Sequence, residues 1–141
     1  MISSNLTSLR EANKMTLEEV ANKIDVSRQA VAKWESGATT PDIANCIALA
    51  KLYQVSLDDL VNYPEHIYNM PIPPKGKHFF GIVTLDENGQ LVLPKKARDI
   101  FSLSPGDKIV VLGDEDRGIA LAKADTMMYF YETLKEEYNN E

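Results

Sequence analysis

Pro64, Pro71, Pro73 and Pro74 all fall within residues 63–78, and no helix can run through that spacing. The segment YPEHIYNMPIPPKGKH therefore reads as an extended linker. It divides the 141-residue chain into two stretches of different periodicity. Before it, apolar residues recur every three or four positions, with turn signals between them. After it, from Phe79, they alternate. A chain of this length holds one ordinary domain or two small ones, and the change of period favours two.

The first stretch reads as five short helices. Leu6, Leu9 and Arg10 lie on a helix running to about Asn13. Thr16-Leu17-Glu18-Glu19 is a capping box, Thr16 capping the next helix while Glu19 reaches back. That helix turns Leu17, Val20, Ala21 and Ile24 inward. Asp25-Val26-Ser27 is a tight turn, and Ser27 caps a third helix, Arg28–Glu35. Gly37 supplies the positive-φ stop after Ser36. Thr40-Pro41 caps and starts a fourth helix through Tyr53, and Ser56 starts a fifth. Two short helices joined by a tight turn inside a helical bundle can present the second of them to the major groove. Ala30, Val31 and Trp34 can face the bundle, leaving Arg28, Gln29 and Lys33 outward. Arginine can read guanine, glutamine can read adenine, and lysine can neutralise phosphate. The same three residue types also make an ordinary solvated helix face.

The stretch from Leu9 to Leu60 resembles the Xre family of helix-turn-helix domains, related to phage repressors. Leu9-Arg10, Thr16, Ala21, Val26-Ser27, Val31, Trp34-Glu35-Ser36-Gly37, Pro41 and Leu49-Ala50 carry the match. The resemblance implies a lambda-repressor-like, all-α bundle of five helices over residues 1–62. It also implies that Ser27, Arg28, Gln29 and Lys33 meet double-stranded DNA, with Ser36, Gly37 and Thr39 near the phosphates. Arg10 and Glu35 would form a structural ion pair. Leu17 departs from the pattern, because several relatives place a phosphate-binding glutamine there.

Beyond the linker, Gly81–Leu85 and Gln90–Leu93 read as strands flanking a turn at residues 86–89. Pro94 opens a short helix, KKARDIF. A turn at residues 104–107 leads to strands over 108–112 and 119–122. From about Asp125 the tail reads as a helix with Met127, Tyr131, Leu134 and Tyr138 on one stripe. Four short strands and one helical turn are little core for a stable monomer, and association is the natural remedy.

Residues 79–123 resemble the AbrB/SpoVT-type swapped-hairpin domain, on Gly81, Leu85-Asp86, Gly89, Val92-Leu93-Pro94, Arg98, Leu103 and Gly106-Asp107. The resemblance implies an obligate homodimer through residues 79–124, two chains interleaving their hairpins into a small β-rich barrel. In that family the barrel often binds DNA through arginines. Gln90 stands where arginine is usual, and Asp99 where a second basic residue is common. Lys95, Lys96 and Arg98 remain as a candidate secondary DNA contact, or as a solvated helix face. The expected organisation is thus a helix-turn-helix domain (1–62), a linker (63–78), a dimerisation domain (79–124) and an acidic C-terminal helix (125–141).

The net charge of −6 argues at first against nucleic acid, but its distribution matters more. Residues 113–141 hold three basic and eight acidic side chains, whereas residues 1–62 hold six and eight. A DNA reader needs one locally basic face, and an acidic far end can orient it by repulsion. No apolar run approaches the roughly 20 residues that span a bilayer. The opening Met1-Ile2-Ser3-Ser4-Asn5 lacks the pattern of a secretory signal. Cys46, the single cysteine, reads as a small buried hydrophobe and allows neither an intramolecular disulfide nor a cysteine metal cluster. His66 and His78 have no partner spacing for metal or catalysis.

A reduced, cytoplasmic protein without metal or other cofactor is expected. It has no catalytic residues, since no nucleophile–base pair or phosphate-cradling glycine loop is present. The leading expectation is a DNA-binding transcription regulator acting on a two-fold operator. The alternative is an antitoxin, whose acidic tail would bind a protein partner, the toxin.

Overall fold

The structure, a computed structural model, describes residues 1–64, 69–129 and Glu132. His66 and the stripe residues Tyr131, Leu134 and Tyr138 lie outside the described residues. The chain divides into two units, Met1–Phe79 and Phe80–Glu141.

The first unit is built from α1 (Ile2–Ala12), α2 (Leu17–Ile24), α3 (Arg28–Glu35), α4 (Ile43–Tyr53) and α5 (Leu57–Asn62). The three-and-four spacing of apolar residues puts Leu6, Val20, Val31, Leu49 and Leu60 on inward faces, where all five are sealed from solvent. α1 packs on α3 and α5, α2 on α3 and α4, and α4 on α5. Each start is chemically marked. The Thr16 hydroxyl accepts the Glu19 N–H while the Glu19 carboxylate accepts the Thr16 N–H at 2.7 Å. Ser27 and Ser56 accept the Ala30 and Asp59 N–H groups in the same way. Such a cap contributes about 1 kcal/mol.

The fourth helix corrects one expectation. Its cap is Asp42, not Thr40, because the Asp42 carboxylate takes the Asn45 N–H at 2.8 Å and Pro41 stays before the first turn. Buried Asn5 ties α1 to α5, its Nδ2 donating to the Leu60 carbonyl at 3.1 Å. Residues 69–79 return to this unit: Ile72 packs against the core, and Phe79 meets the Tyr63 ring edge-on. No described helix is long and apolar enough to cross a membrane.

In the second unit, α6 (Lys95–Ile100) precedes β1 (Ile109–Asp114) and β2 (Gly118–Lys123), an antiparallel pair with Val111 opposite Leu121. A helical stretch follows over residues 124–129. Residues 81–85 and 90–93 differ from expectation: they join no strand ladder. Among the described residues only their turn is bonded, the Asp86 N–H donating to the Gln90 carbonyl at 2.8 Å while Asp86 Oδ1 accepts the Asn88 and Gln90 N–H groups. An alternating sequence forms a ladder only where two backbone edges stay within hydrogen-bond reach, and beyond the Asp86–Gln90 turn these segments make no such bonds among the described residues.

A polar clasp closes the β1–β2 end. Asp107 accepts the Ser104 N–H at 2.7 Å and meets Lys123 at 3.3 Å, while Lys123 also donates to the Ser102 carbonyl. The Ser104 N–H, then Lys123, hold the Asp107 carboxyl below its ordinary range. The unfolded chain therefore binds this proton more readily. The clasp contributes fully above about pH 4 and is lost as pH falls through the lowered value. Asp107→Asn is expected to remove that acid dependence, measured by hydrogen exchange of the β1–β2 amides during acid titration. Unchanged acid sensitivity in the variant would contradict the clasp.

Candidate nucleic-acid interface

On α3, a rotation of about 100° per residue places positions 28, 29, 32 and 33 on one face. Val31 and Trp34 are buried on the other, and Ala30 is half-buried. Arg28, Gln29 and Lys33 are exposed together. Ser27 is exposed at the N-cap with its oxygen engaged by the Ala30 N–H. Ala32, half-buried between the three long side chains, belongs to the same face. Sequence reasoning left it out because alanine carries no polar signal; the i, i+4 spacing from Arg28 would have found it.

The turn after α3 folds back on the helix end. Gly37 sits at φ +76°, and a Cβ there would meet Ser3 only at ordinary contact distance, so backbone conformation and not space calls for glycine. The Lys33 carbonyl accepts both the Ser36 hydroxyl at 3.0 Å and the Thr39 N–H at 3.2 Å. Ser36 is therefore committed to the turn it shapes. Thr39 keeps its side chain exposed while its amide is used.

Arg10 holds this edge from behind. Its Nε and Nη2 donate to the two Glu35 carboxylate oxygens at 2.8 and 3.0 Å, and its Nη1 donates to the Met15 carbonyl at 3.0 Å. One guanidinium thus links α1, the entry to α2 and the last residue of α3. Hydrogen bonding to Glu35 raises the Arg10 pKa further, and burial works against it. Burial also pushes the Tyr53 hydroxyl up, so it stays neutral beside the pair.

In the second unit Lys95 is ion-paired to Asp99 at 2.7 Å across one turn of α6. Lys96 and Arg98 are exposed on the same helix. The structure thus brings Arg28, Gln29 and Lys33 together on one face and draws Lys95 onto an acidic neighbour.

Comparison with known proteins follows this division. Residues 6–60 match the family model described as helix-turn-helix, and residues 82–127 match that described as antidote-toxin recognition MazE, bacterial antitoxin. The chain joins a helix-turn-helix domain to an AbrB-like domain of the MazE type. The HTH-type transcriptional activator BcrR of Enterococcus faecalis is 36% identical over 62 residues, covering 44% of this chain and 30% of that protein. The uncharacterized HTH-type transcriptional regulator YobD of Bacillus subtilis (strain 168) is 34% identical over 58 residues, covering 41% and 52%. The chain thus spans about half or less of the relatives it matches. Among solved structures, the P22 c2 repressor in complex with a synthetic operator is 27% identical, with a TM-score of 0.43, covering 44% of this chain and 94% of that one.

Proposed function

We propose that the protein is a sequence-specific DNA-binding transcription regulator, a repressor acting as a homodimer on a two-fold operator. Residues 1–62 read DNA, 63–78 join the halves, 79–124 pair two chains, and 125–141 are open to a protein partner. The observation that carries the reading is the outward face of α3. Arg28, Gln29 and Lys33 are exposed side by side while Val31 and Trp34 anchor the helix, within a segment that matches the helix-turn-helix model. Arg28 and Gln29 contact base edges, and Lys33 contacts phosphate. Ser27, Gly37 and Thr39 lie beside the backbone, with Ser36 shaping the turn. Arg10 and Glu35 keep the edge in place, and Lys95, Lys96 and Arg98 are at most a secondary contact.

Pairing is supported by what the second unit lacks. Ala97 is its one buried residue among those described, while Ile82, Val92 and Ile119 are each more than three-quarters exposed. An apolar hollow of about 330 Å³, lined by Phe80, Leu93, Phe101, Leu103, Ile109 and Leu121, stands open to a second copy. A two-fold pair would set two α3 helices on half-sites about 34 Å apart, or a multiple of that.

Selection from random DNA with the full chain tests the reading. A two-fold motif is expected, and Arg28→Ala or Gln29→Ala should relax it at one base pair per half-site, by about 1–3 kcal/mol. An unchanged motif in both variants would sink the assignment.

The match of residues 82–127 to a bacterial antitoxin model favours a second reading, an autoregulating antitoxin that blocks a toxin with its tail. Co-expression with the adjacent reading frame decides it: rescue of growth that is lost on deleting residues 125–141 would support that reading.

A further inference from the structure

The helical unit carries an apolar groove away from the DNA-reading edge. α4 is apolar on nearly all sides, and a helix of that kind is normally covered all round. Here Ile43 and Ile47 are 75% and 41% exposed, on a stripe continued by Lys51. At the C-terminal end of α4, Gln54 turns the chain in the left-handed conformation, and its carbonyl accepts the Lys75 N–H at 2.8 Å. That bond brings Pro74 and Lys75 alongside α4 and makes them a wall. The result is a groove of about 580 Å³, lined by Ile47, Val55, Leu57 and Pro74 together with Lys51 and Lys75. Among the described residues no acidic side chain lines it, in a chain of net charge −6. Neither lysine forms an ion pair among the described residues.

We infer that this groove docks an acidic amphipathic helix of a protein partner, apolar side chains inward and carboxylates on Lys51 and Lys75. The shape favours a helix, since an i, i+4 stripe beside a second wall is the surface on which helix-in-groove recognition works. The charge selects its sign. A second copy fits less well, because a two-fold pairing sets the same lining against itself and brings no carboxylate from that lining to the lysines. Position permits simultaneous engagement with DNA. The turn after α3 lies before the N-terminus of α4 and the groove at its other end, about 16 Å along an 11-residue helix. A partner recruited here would thus sit on DNA-bound protein, a role separate from base reading.

The test uses the full chain and a synthetic helical peptide of about 15 residues, leucine at i, i+4, i+7 and i+11, glutamates flanking that stripe and alanine elsewhere. Its lysine-for-glutamate counterpart is the control. Amide shifts on titration are expected to move at residues 47–57 and 74–75 with the acidic peptide alone. Lys51→Glu combined with Lys75→Glu should weaken binding about three- to tenfold while leaving DNA affinity unchanged. DNA binding also reports that the variant is folded, so failure here is separable from failure of the DNA-reading assignment. The inference is overturned by unmoved groove amides at millimolar peptide, or by shifts elsewhere on the chain. It is equally overturned by equal binding of the lysine peptide, or by unweakened binding in the double variant. A change of oligomeric state in the double variant would give the groove to a second copy instead. Binding that emerges only after residues 125–141 are deleted would give it to the chain's own tail.

Discussion

Arg10→Ala is expected to cost the helical unit about 3 kcal/mol, the low end for breaking a buried ion pair by removing one partner, because this pair is only partly buried. The Arg10 and Glu35 side chains are only 18% and 9% exposed, so truncating one leaves a carboxylate shielded from water with no cation beside it. The Met15 carbonyl loses its donor in the same change. At about 4–8 °C per kcal/mol for a unit of this size, the thermal midpoint should fall by more than about 10 °C. Arg10→Met combined with Glu35→Leu removes both charges and keeps the volume, so it should recover most of the loss. Thermal unfolding followed by circular dichroism gives both numbers. A single-variant loss under about 1 kcal/mol would mean that the pair is more solvated than its geometry implies.

The second large effect concerns pairing. The full chain is expected to sediment as a dimer at micromolar concentration, and Ile82→Asp with Val92→Asp to sediment as a monomer. Both positions are 77% exposed in one chain, so a charge there disturbs little within it. Buried in a pair of chains, each charge would be desolvated without a partner. Loss of pairing also removes the linked second half-site, so affinity for a two-fold operator should fall about a hundredfold or more. Affinity for a single half-site should stay nearly constant. A wild-type monomer, or a doubly charged variant that still pairs, would refute the arrangement.

How much of this was legible in the sequence depended on the range of the interaction. The helices of the first unit were visible because their causes are local: apolar spacing within one turn and a capping side chain three residues from its acceptor. Where two good caps compete, at Thr40 and Asp42, locality was not enough. Both can accept an amide, and the helix begins at Ile43, so the free Asn45 N–H, three residues on from Asp42, falls to that carboxylate. The Arg10–Glu35 pair spans 25 residues, and only a family resemblance brought it into view. The alternation at residues 81–93 was readable, but a ladder also needs a neighbouring edge, which the pattern itself cannot supply. The groove beside α4 left no signal at all. It depends on one backbone bond between Gln54 and Lys75, and neither residue type advertises it.

The near-absence of a core in the second unit has a bearing on dose. If two chains must meet before either unit of the pair is complete, operator occupancy at low abundance rises with the square of chain concentration instead of in proportion to it. Halving the number of chains, as at each cell division, would then cut occupancy about fourfold in that range. Exposed Ile82, Val83 and Val92 would then set the steepness with which a gene is switched.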